Sequence, residues 1–255
     1  MNCLLDFKNR GIRMKQNIYD NPEFFENYHQ LRASKITYND FVEQPALKSL
    51  LPDLTGKRVL DLGCGYGEMA HYCIQHHAVH VTGVDISEKM LALAEGHTNI
   101  AFIHSAMEDL QFEQGQFDLI ISSLAFHYVK DLDELMGRIA SWLKPEGQLI
   151  FSTEHPVVLA SKAQARWITN EQGENEYWTL DNYKEEGERS QFWKVEGVIK
   201  YHRTLSTLIN LQIAHGLRID QVLEPESIPE GIEKKPNLVN EVRRPSFILF
   251  RAVKG

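Results

Sequence analysis

The stretch "VLDLGCGYGEM", residues 59–69, runs from apolar residues into three glycines at alternate positions, Gly63, Gly65 and Gly67, and then into helix-forming residues. A strand that passes directly into glycine allows positive φ and close approach of the backbone to a ligand. The helix that follows offers its free N–H groups to something electron-rich. In an open parallel sheet that crevice lies beyond the carboxyl ends of the strands, where the strand order reverses.

Outward from this loop, strand-like and helix-like segments alternate, the pattern of an α/β fold with a mostly parallel, Rossmann-like sheet and helices on both faces. Strands are predicted over 57–62, 79–85, 100–104, 117–122, 148–153, 217–223 and 246–253. The clearest helix covers 132–143, where Leu132, Leu135, Met136, Ile139, Ala140 and Leu143 share one face, Asp131 caps the start and "KPEG" stops the run. Another opens at Ser87, two precede the first strand over 22–33 and 39–51, and one spans 204–215 with Gly216 as its stop. Residues 224–245 read as a loop that forms a second wall of the substrate cleft. The expected organisation is an extension over 1–17, with Met14 as the natural start, and one domain over 18–255. Within that domain lie a helical lid (18–56), a cofactor-binding core (57–153), a cap insertion (154–203) and the end of the sheet (204–255).

A chain of 255 residues with 43% hydrophobic content can bury one large core. Its formal charge of −8 leaves no positive excess for duplex nucleic acid, so small molecules are the expected partners. Cys3, Cys64 and Cys73 are odd in number and lack metal-ligand spacing, and no apolar run approaches the roughly 18 residues that cross a bilayer. The start, "MNCLLDFKNRGIRMKQ", has neither the apolar centre nor the cleavage site of a signal peptide. A reduced, cytoplasmic protein without metal or membrane partner is expected.

Asp85 narrows the ligand. It ends the second predicted strand about twenty residues after the glycines, where a carboxylate accepts hydrogen bonds from both hydroxyls of a ribose. Glu68 stands where a dinucleotide fingerprint has its last glycine, and a carboxylate there repels pyrophosphate, which sets aside a nicotinamide oxidoreductase. Asp61, just before the loop, suits a cationic amino-acid portion. An adenosine joined to a sulfonium-bearing amino acid meets these demands.

Four stretches in order, "VLDLGCGYGEMA", "VTGVDISEKMLALAE", "FDLIISSLAFHYVKDL" and "LKPEGQLIFSTEHPV", resemble the motifs of class I S-adenosylmethionine-dependent methyltransferases of the small-molecule type that includes ubiquinone and menaquinone methylases. The resemblance covers residues 58–156. Outside it, "NIYDNPEFFENYHQLR", "EHPV", "HRTLSTLIN" and "RRPSFILFRAVK" resemble a bacterial branch of these proteins, a likeness that names no substrate. It implies a seven-stranded sheet with the last strand antiparallel, between the fifth and sixth. It implies S-adenosyl-L-methionine as cofactor and S-adenosyl-L-homocysteine as product; no pair of histidines has metal-ligand spacing with acidic partners, so no metal is expected. Gly63 and Gly65 then approach the methionine part, Asp85 with Ile86 beside it holds the ribose, and Met90 packs on the adenine. The family segment G-D-A-E-D reads "SAMED" here, with Ala106 in place of the aspartate, which leaves the adenine amino group to Met107 and Glu108. Ser122 and Leu124 would lie beside the methionine part, and Tyr28 and Arg32 resemble a lid pair whose arginine meets the cofactor's carboxylate.

Such a cofactor carries an activated methyl, so alignment does most of the work, and positioning supplies roughly 7–11 kcal/mol of barrier lowering. A base is needed only where the nucleophile must lose a proton. His127 follows the fourth strand and His155 the fifth. His155, with Glu154 beside it to orient the imidazole, is the favoured acid–base candidate, and His202 is a third. The fifty residues after His155 carry Trp167, Tyr177, Trp178, Tyr183, Phe192, Trp193 and Tyr201 and read as a cap, some rings packing within it and others facing a flat or partly apolar acceptor. The expected activity is methylation of a small molecule at oxygen, nitrogen or carbon, in that order of preference. Methylation of tRNA or protein, and a non-catalytic regulator that binds the cofactor, are the alternatives.

Overall fold

The computed structural model describes residues 15–255; the proposed start at Met14 and the segment before it lie outside the described residues. The described chain opens on a 3₁₀ turn, Ile18–Asp20, and helix α1, Pro22–Ala33, whose N-cap Asn21 accepts a hydrogen bond from the Phe24 amide at 3.0 Å. A π-helical turn, Asn39–Glu43, leads without a break into α2, Gln44–Leu50, so the helix predicted over 39–51 is a single run of two windings.

The Gly loop sits where predicted. Strand β1, Arg58–Leu62, ends at Gly63, and α3, Glu68–Gln75, starts after Gly67. There follow β2 (His80–Asp85), the short α4 (Glu88–Ala92) with Ser87 as N-cap, β3 (Ile100–His104) and β4 (Phe117–Ser122). Helix α5, Leu132–Trp142, buries the apolar stripe read from its spacing, and the Asp131 side chain accepts from the Glu134 amide at 3.0 Å. Strand β5 spans Leu143–Glu154 and starts five residues earlier than predicted. "KPEG" is a bulge inside it: pairing with β4 jumps from Phe117↔Leu143 to Leu119↔Gln148, with Glu146 at φ +60°.

After β5 come α6 (Pro156–Leu159) and two antiparallel hairpins, β6 (Trp167–Thr169) with β7 (Asn175–Trp178) and β8 (Gly187–Trp193) with β9 (Val195–His202). Helix α7, Leu205–Ala214, is capped by Thr204, and β10, Leu217–Leu223, follows Gly216 at φ +74°. The segment expected to be a loop instead holds α8, Pro229–Lys234, and a 3₁₀ run, Pro236–Val242. Pro229 and Pro236 stand at the first helical position of these runs, where a missing N–H costs nothing. Strand β11, Phe247–Lys254, closes the sheet.

The main sheet has the order β10-β11-β5-β4-β1-β2-β3, with β11 antiparallel to both neighbours. Because β1 lies between β2 and β4, the order reverses beside it, which opens a crevice at the carboxyl ends of β1 and β4. Residues alternate between two cores: Leu60, Ile120 and Phe151 face α5 and α7, whereas Val59, Leu119 and Ile150 face α2 and α3. Among the described residues no helix is long and apolar enough to cross a membrane.

Candidate active site

A cavity of about 770 Å³ occupies that crevice, roofed by the N-terminal helices and the second cap hairpin. On its floor, Gly63 takes φ +76°, and a Cβ there would lie 2.5 Å from that of Ala125, so the close approach requires glycine. The Asp85 carboxylate accepts from the amides of Gly65 and Ser87, each at 2.8 Å, which aims it across the loop and leaves lone pairs on both oxygens. Asp61 is 1% exposed, and its Oδ2 has no hydrogen-bond partner among the described residues. Burial, then the nearby Asp85 and Glu43, pushes its carboxyl up to about 7. Ile86, Met90, Met107 and Glu108 also line the cavity.

At the end of β4, Ser123 and Leu124 line the cavity, whereas the Ser122 side chain is fully buried and spends its hydroxyl on the Leu62 carbonyl at 2.9 Å, which leaves only its backbone for the role expected of it. Leu124 has φ +51°, a left-handed conformation costly for leucine, and its amide is held by the Ser152 hydroxyl at 3.0 Å. That hydroxyl in turn donates to Glu43 Oε1 at 2.5 Å, and the Ser123 hydroxyl donates to the same oxygen at 2.8 Å. Glu43 is thus a buried brace between the helical lid and the ends of β4 and β5. Its pKa is raised by burial against the pull of these hydrogen bonds.

The lid brings Tyr28 and Arg32 to the cavity. Burial raises the Tyr28 phenol to about 12, and its ring packs edge-on to Tyr19 at 5.1 Å. The Arg32 guanidinium donates to Asn39 Oδ1 and to Glu68 Oε2, both at 2.5 Å, while its Nε is without a hydrogen-bond partner among the described residues. The turn before α1 is anchored to the residues that follow β2: Asn17 Nδ2 donates to the Ile86 carbonyl at 2.8 Å, and Asp20 Oδ1 accepts from the Ser87 hydroxyl at 2.5 Å.

Away from the loop, the cavity is lined by Tyr19, Tyr128, Trp193 and Tyr201 and by the polar groups His127, Glu154 and Arg244. Of the seven cap aromatics singled out from the sequence, Trp193 and Tyr201 face the cavity, and Trp167 and Trp178 pack on each other at 5.5 Å. Tyr183 accepts from His202 and from the Leu205 amide, whereas Tyr177 and Phe192 are exposed.

The favoured acid–base pair is not assembled. Glu154 pairs with Lys200 at 2.5 Å, and its Oε2 has no hydrogen-bond partner among the described residues. His155 lies outside the cavity lining: its Nε2 meets Glu224 at 2.8 Å, and its Nδ1 accepts from the Val157 amide at 3.2 Å as the N-cap of α6. Neighbouring residues at a strand end point to opposite sides, so Glu154 faces in and His155 faces out. His202 is likewise occupied, by the Tyr183 carbonyl at 2.8 Å. His127 does line the cavity. Burial lowers its pKa to about 4 against the pull of Glu154, and Nδ1 receives the Glu154 amide at 3.5 Å, so the neutral ring carries its proton on Nε2. Glu154 is ionised: burial opposes this, but Lys200 and His127 together hold its pKa below the usual carboxylate value.

Residues 59–147 match a methyltransferase-domain family model. Over 253 residues the chain is 36% identical to an uncharacterized protein of Haemophilus influenzae, which covers 94% of this chain and 98% of that one. It is 39% identical to an S-adenosylmethionine-dependent methyltransferase of solved structure from Mesorhizobium loti, with TM-score 0.78 over 83% of this chain and 97% of the other. The chain is a class I S-adenosylmethionine-dependent methyltransferase. A ubiquinone biosynthesis O-methyltransferase from Aromatoleum aromaticum is 30% identical over 141 residues, about half of either protein, 53% of this methyltransferase and 56% of that one.

The residues of this methyltransferase fit its cofactor on their own geometry. The unpartnered buried oxygen of Asp61 answers a cationic amino-acid group, and the braced Asp85 carboxylate answers a diol. The glycine cradle leaves room between them. Among the described residues no group of three or more His, Cys, Asp or Glu side chains is placed to hold a metal ion. Glu43, Asn17, Asp20, Tyr19, Tyr128 and Arg244 were not read from the sequence as site residues. The quoted stretches "NIYDNPEFFENYHQLR", "FDLIISSLAFHYVKDL" and "RRPSFILFRAVK" contain all of them but Glu43.

Proposed function

We propose that this methyltransferase acts on a small, flat or partly apolar molecule, by preference at oxygen. The carrying observation is the make-up of the cavity wall, which includes the packed rings of Tyr19, Tyr128 and Trp193. The cavity's volume falls in the range of about 300–1,000 Å³ typical of small-molecule sites. Gly63, Gly65, Asp61, Asp85, Ile86, Met90, Met107, Glu108 and Leu124 would hold the cofactor, with Tyr28 and Arg32 closing over it. When bound, the cofactor supplies a methyl group made electrophilic by a positively charged sulfur. The protein's part is to align the acceptor, exclude water with the aromatic wall, and receive a proton. Glu154 is the group for that proton: a hydroxyl becomes strongly acidic as its oxygen gains the methyl, so even a carboxylate held ionised by Lys200 suffices as acceptor. His127, neutral with Nε2 protonated, serves as a hydrogen-bond donor beside it.

The test is incubation with methyl-labelled cofactor and a cell extract separated into small molecules, RNA and protein. Label in the small-molecule fraction is expected. Label confined to RNA or protein overturns the proposal, and cofactor binding with no label in any fraction identifies a regulator instead.

A further inference from the structure

The far wall of the cavity carries two polar groups of opposite sense. Glu154 ends β5, and Arg244 lies three residues before Phe247, the residue paired with Glu154 across the β5–β11 ladder. Both line the cavity. Glu154 has one oxygen committed to Lys200 and the other without a partner among the described residues. Arg244 is 9% exposed; it donates to the Ser246 hydroxyl at 2.7 Å, lies 4.0 Å from Glu241 and stacks over Trp178 at 4.4 Å, and its Nε has no hydrogen-bond partner among the described residues. Glu241 is drawn away from it, accepting from both the amide and the hydroxyl of Ser246. A largely desolvated guanidinium that lines the cavity, lies over an indole and has its nearest carboxylate among the described residues 4.0 Å away is a group that receives an oxyanion. Charge is distributed to match: the loop end of the cavity has the carboxyls of Asp61 and Asp85, with Glu68 there paired to Arg32, whereas the far end has Arg244, and Glu154 there is already paired with Lys200.

We infer that the acceptor is a small hydroxy acid whose carboxylate docks on Arg244 while its hydroxyl faces Glu154. This rests on the small-molecule reading above. The hydroxyl oxygen gains the methyl and gives its proton to Glu154, and the electron pair of the broken C–S bond stays on sulfur. The carboxylate takes no part, so the product keeps its negative charge.

Two measurements decide it. In the first, the labelled small-molecule product of the wild-type reaction is passed at neutral pH over a strong anion exchanger. Retention and release by salt are expected; label in the flow-through overturns the hydroxy-acid assignment while leaving small-molecule methylation standing, and absence of small-molecule label overturns that broader reading and the hydroxy-acid assignment with it. The second needs no natural acceptor. Benzoate, titrated by calorimetry into the full-length protein saturated with S-adenosyl-L-homocysteine, is expected to bind, and benzamide is not. Arg244→Gln should weaken benzoate about tenfold or more, with Arg244→Lys recovering part of the loss and homocysteine-nucleoside affinity unchanged in both. Equal binding of benzoate and benzamide by the wild type, no binding of benzoate, or equal benzoate binding by a folded Arg244→Gln variant overturns the assignment. If that variant does not fold, the wild-type comparison and Arg244→Lys still decide.

Discussion

Arg32 Nη2 stands 2.5 Å from Glu68 Oε2, so the lid helix is tied directly to the first residue of the helix that follows the glycine loop. Arg32 is nearly buried, whereas the Glu68 side chain is 55% exposed, and the two sides of the bridge should not weigh equally. Exposed pairs contribute about 0–1 kcal/mol. Glu68→Gln is therefore expected to weaken S-adenosyl-L-homocysteine binding by about fivefold or less. Arg32→Ala, which also removes the donor to Asn39, should weaken it by about tenfold or more. Calorimetric titration of both variants measures the asymmetry, and equal losses would count against Arg32 as a cofactor contact.

Asp61 gives a pH dependence whose sign follows from its raised pKa. The folded protein holds the Asp61 proton up to about 7, while the unfolded chain releases it near the ordinary value of 3.8. Stability from this group is complete below the unfolded pKa and is lost as pH rises through the folded one. Thermal melts of the ligand-free protein should show Tm falling between pH 5 and pH 8, and Asp61→Asn should flatten that slope. Added S-adenosyl-L-homocysteine should stabilise the wild type more at pH 8 than at pH 5, because the ionised carboxylate then has a cationic partner. A ligand effect unchanged across this range would remove Asp61 from the cofactor site.

Glu154 and His155 are adjacent in sequence and opposite in consequence. Glu154→Gln should leave S-adenosyl-L-homocysteine affinity nearly intact and lower turnover more than about tenfold, the range of a lost acid–base group. His155→Ala should keep turnover within about threefold and lose the α6 cap, worth about 1 kcal/mol, or a Tm drop of about 2–4 °C. Steady-state kinetics on the labelled acceptor pool, with melts of both variants, separate the two roles.

Glu43→Ala strips the shared acceptor from Ser123, Ser152, Asn39 and Gln44 at once. Buried donors left unsatisfied cost about 1–3 kcal/mol each, so a Tm fall of about 6 °C or more is expected. Glu43→Gln, which keeps one oxygen, should lose less. A variant as stable as the wild type would show that the brace carries no weight.

The sheet and its glycine loop were legible because both depend on local pattern: apolar runs of strand length, and three glycines at the one place where a Cβ at Gly63 would strike Ala125. The caps Asp131, Ser87 and Thr204 were equally local. The misreadings concern relations the linear chain hides. Glu43 looked like one more polar residue of a helix, since its partners Ser123 and Ser152 lie 80 and 109 residues away. Glu154 and His155 are adjacent in sequence but not in space, because the alternation of a strand sends neighbouring side chains to opposite sides. The loop expected over 224–245 holds helical runs because Pro229 and Pro236 open them, and a proline that opens a helix and one that prevents it are the same letter.

One consequence belongs to the direction of β11. A parallel strand beside β5 would begin at the opposite rim from the chemistry and arrive at it only with its last residue. By running backward, the closing strand starts at the rim that carries the glycine loop, and the residues that lead into it bring Arg244 to the cavity. A substitution that loosens the β5–β11 ladder would therefore displace that guanidinium as well as the sheet.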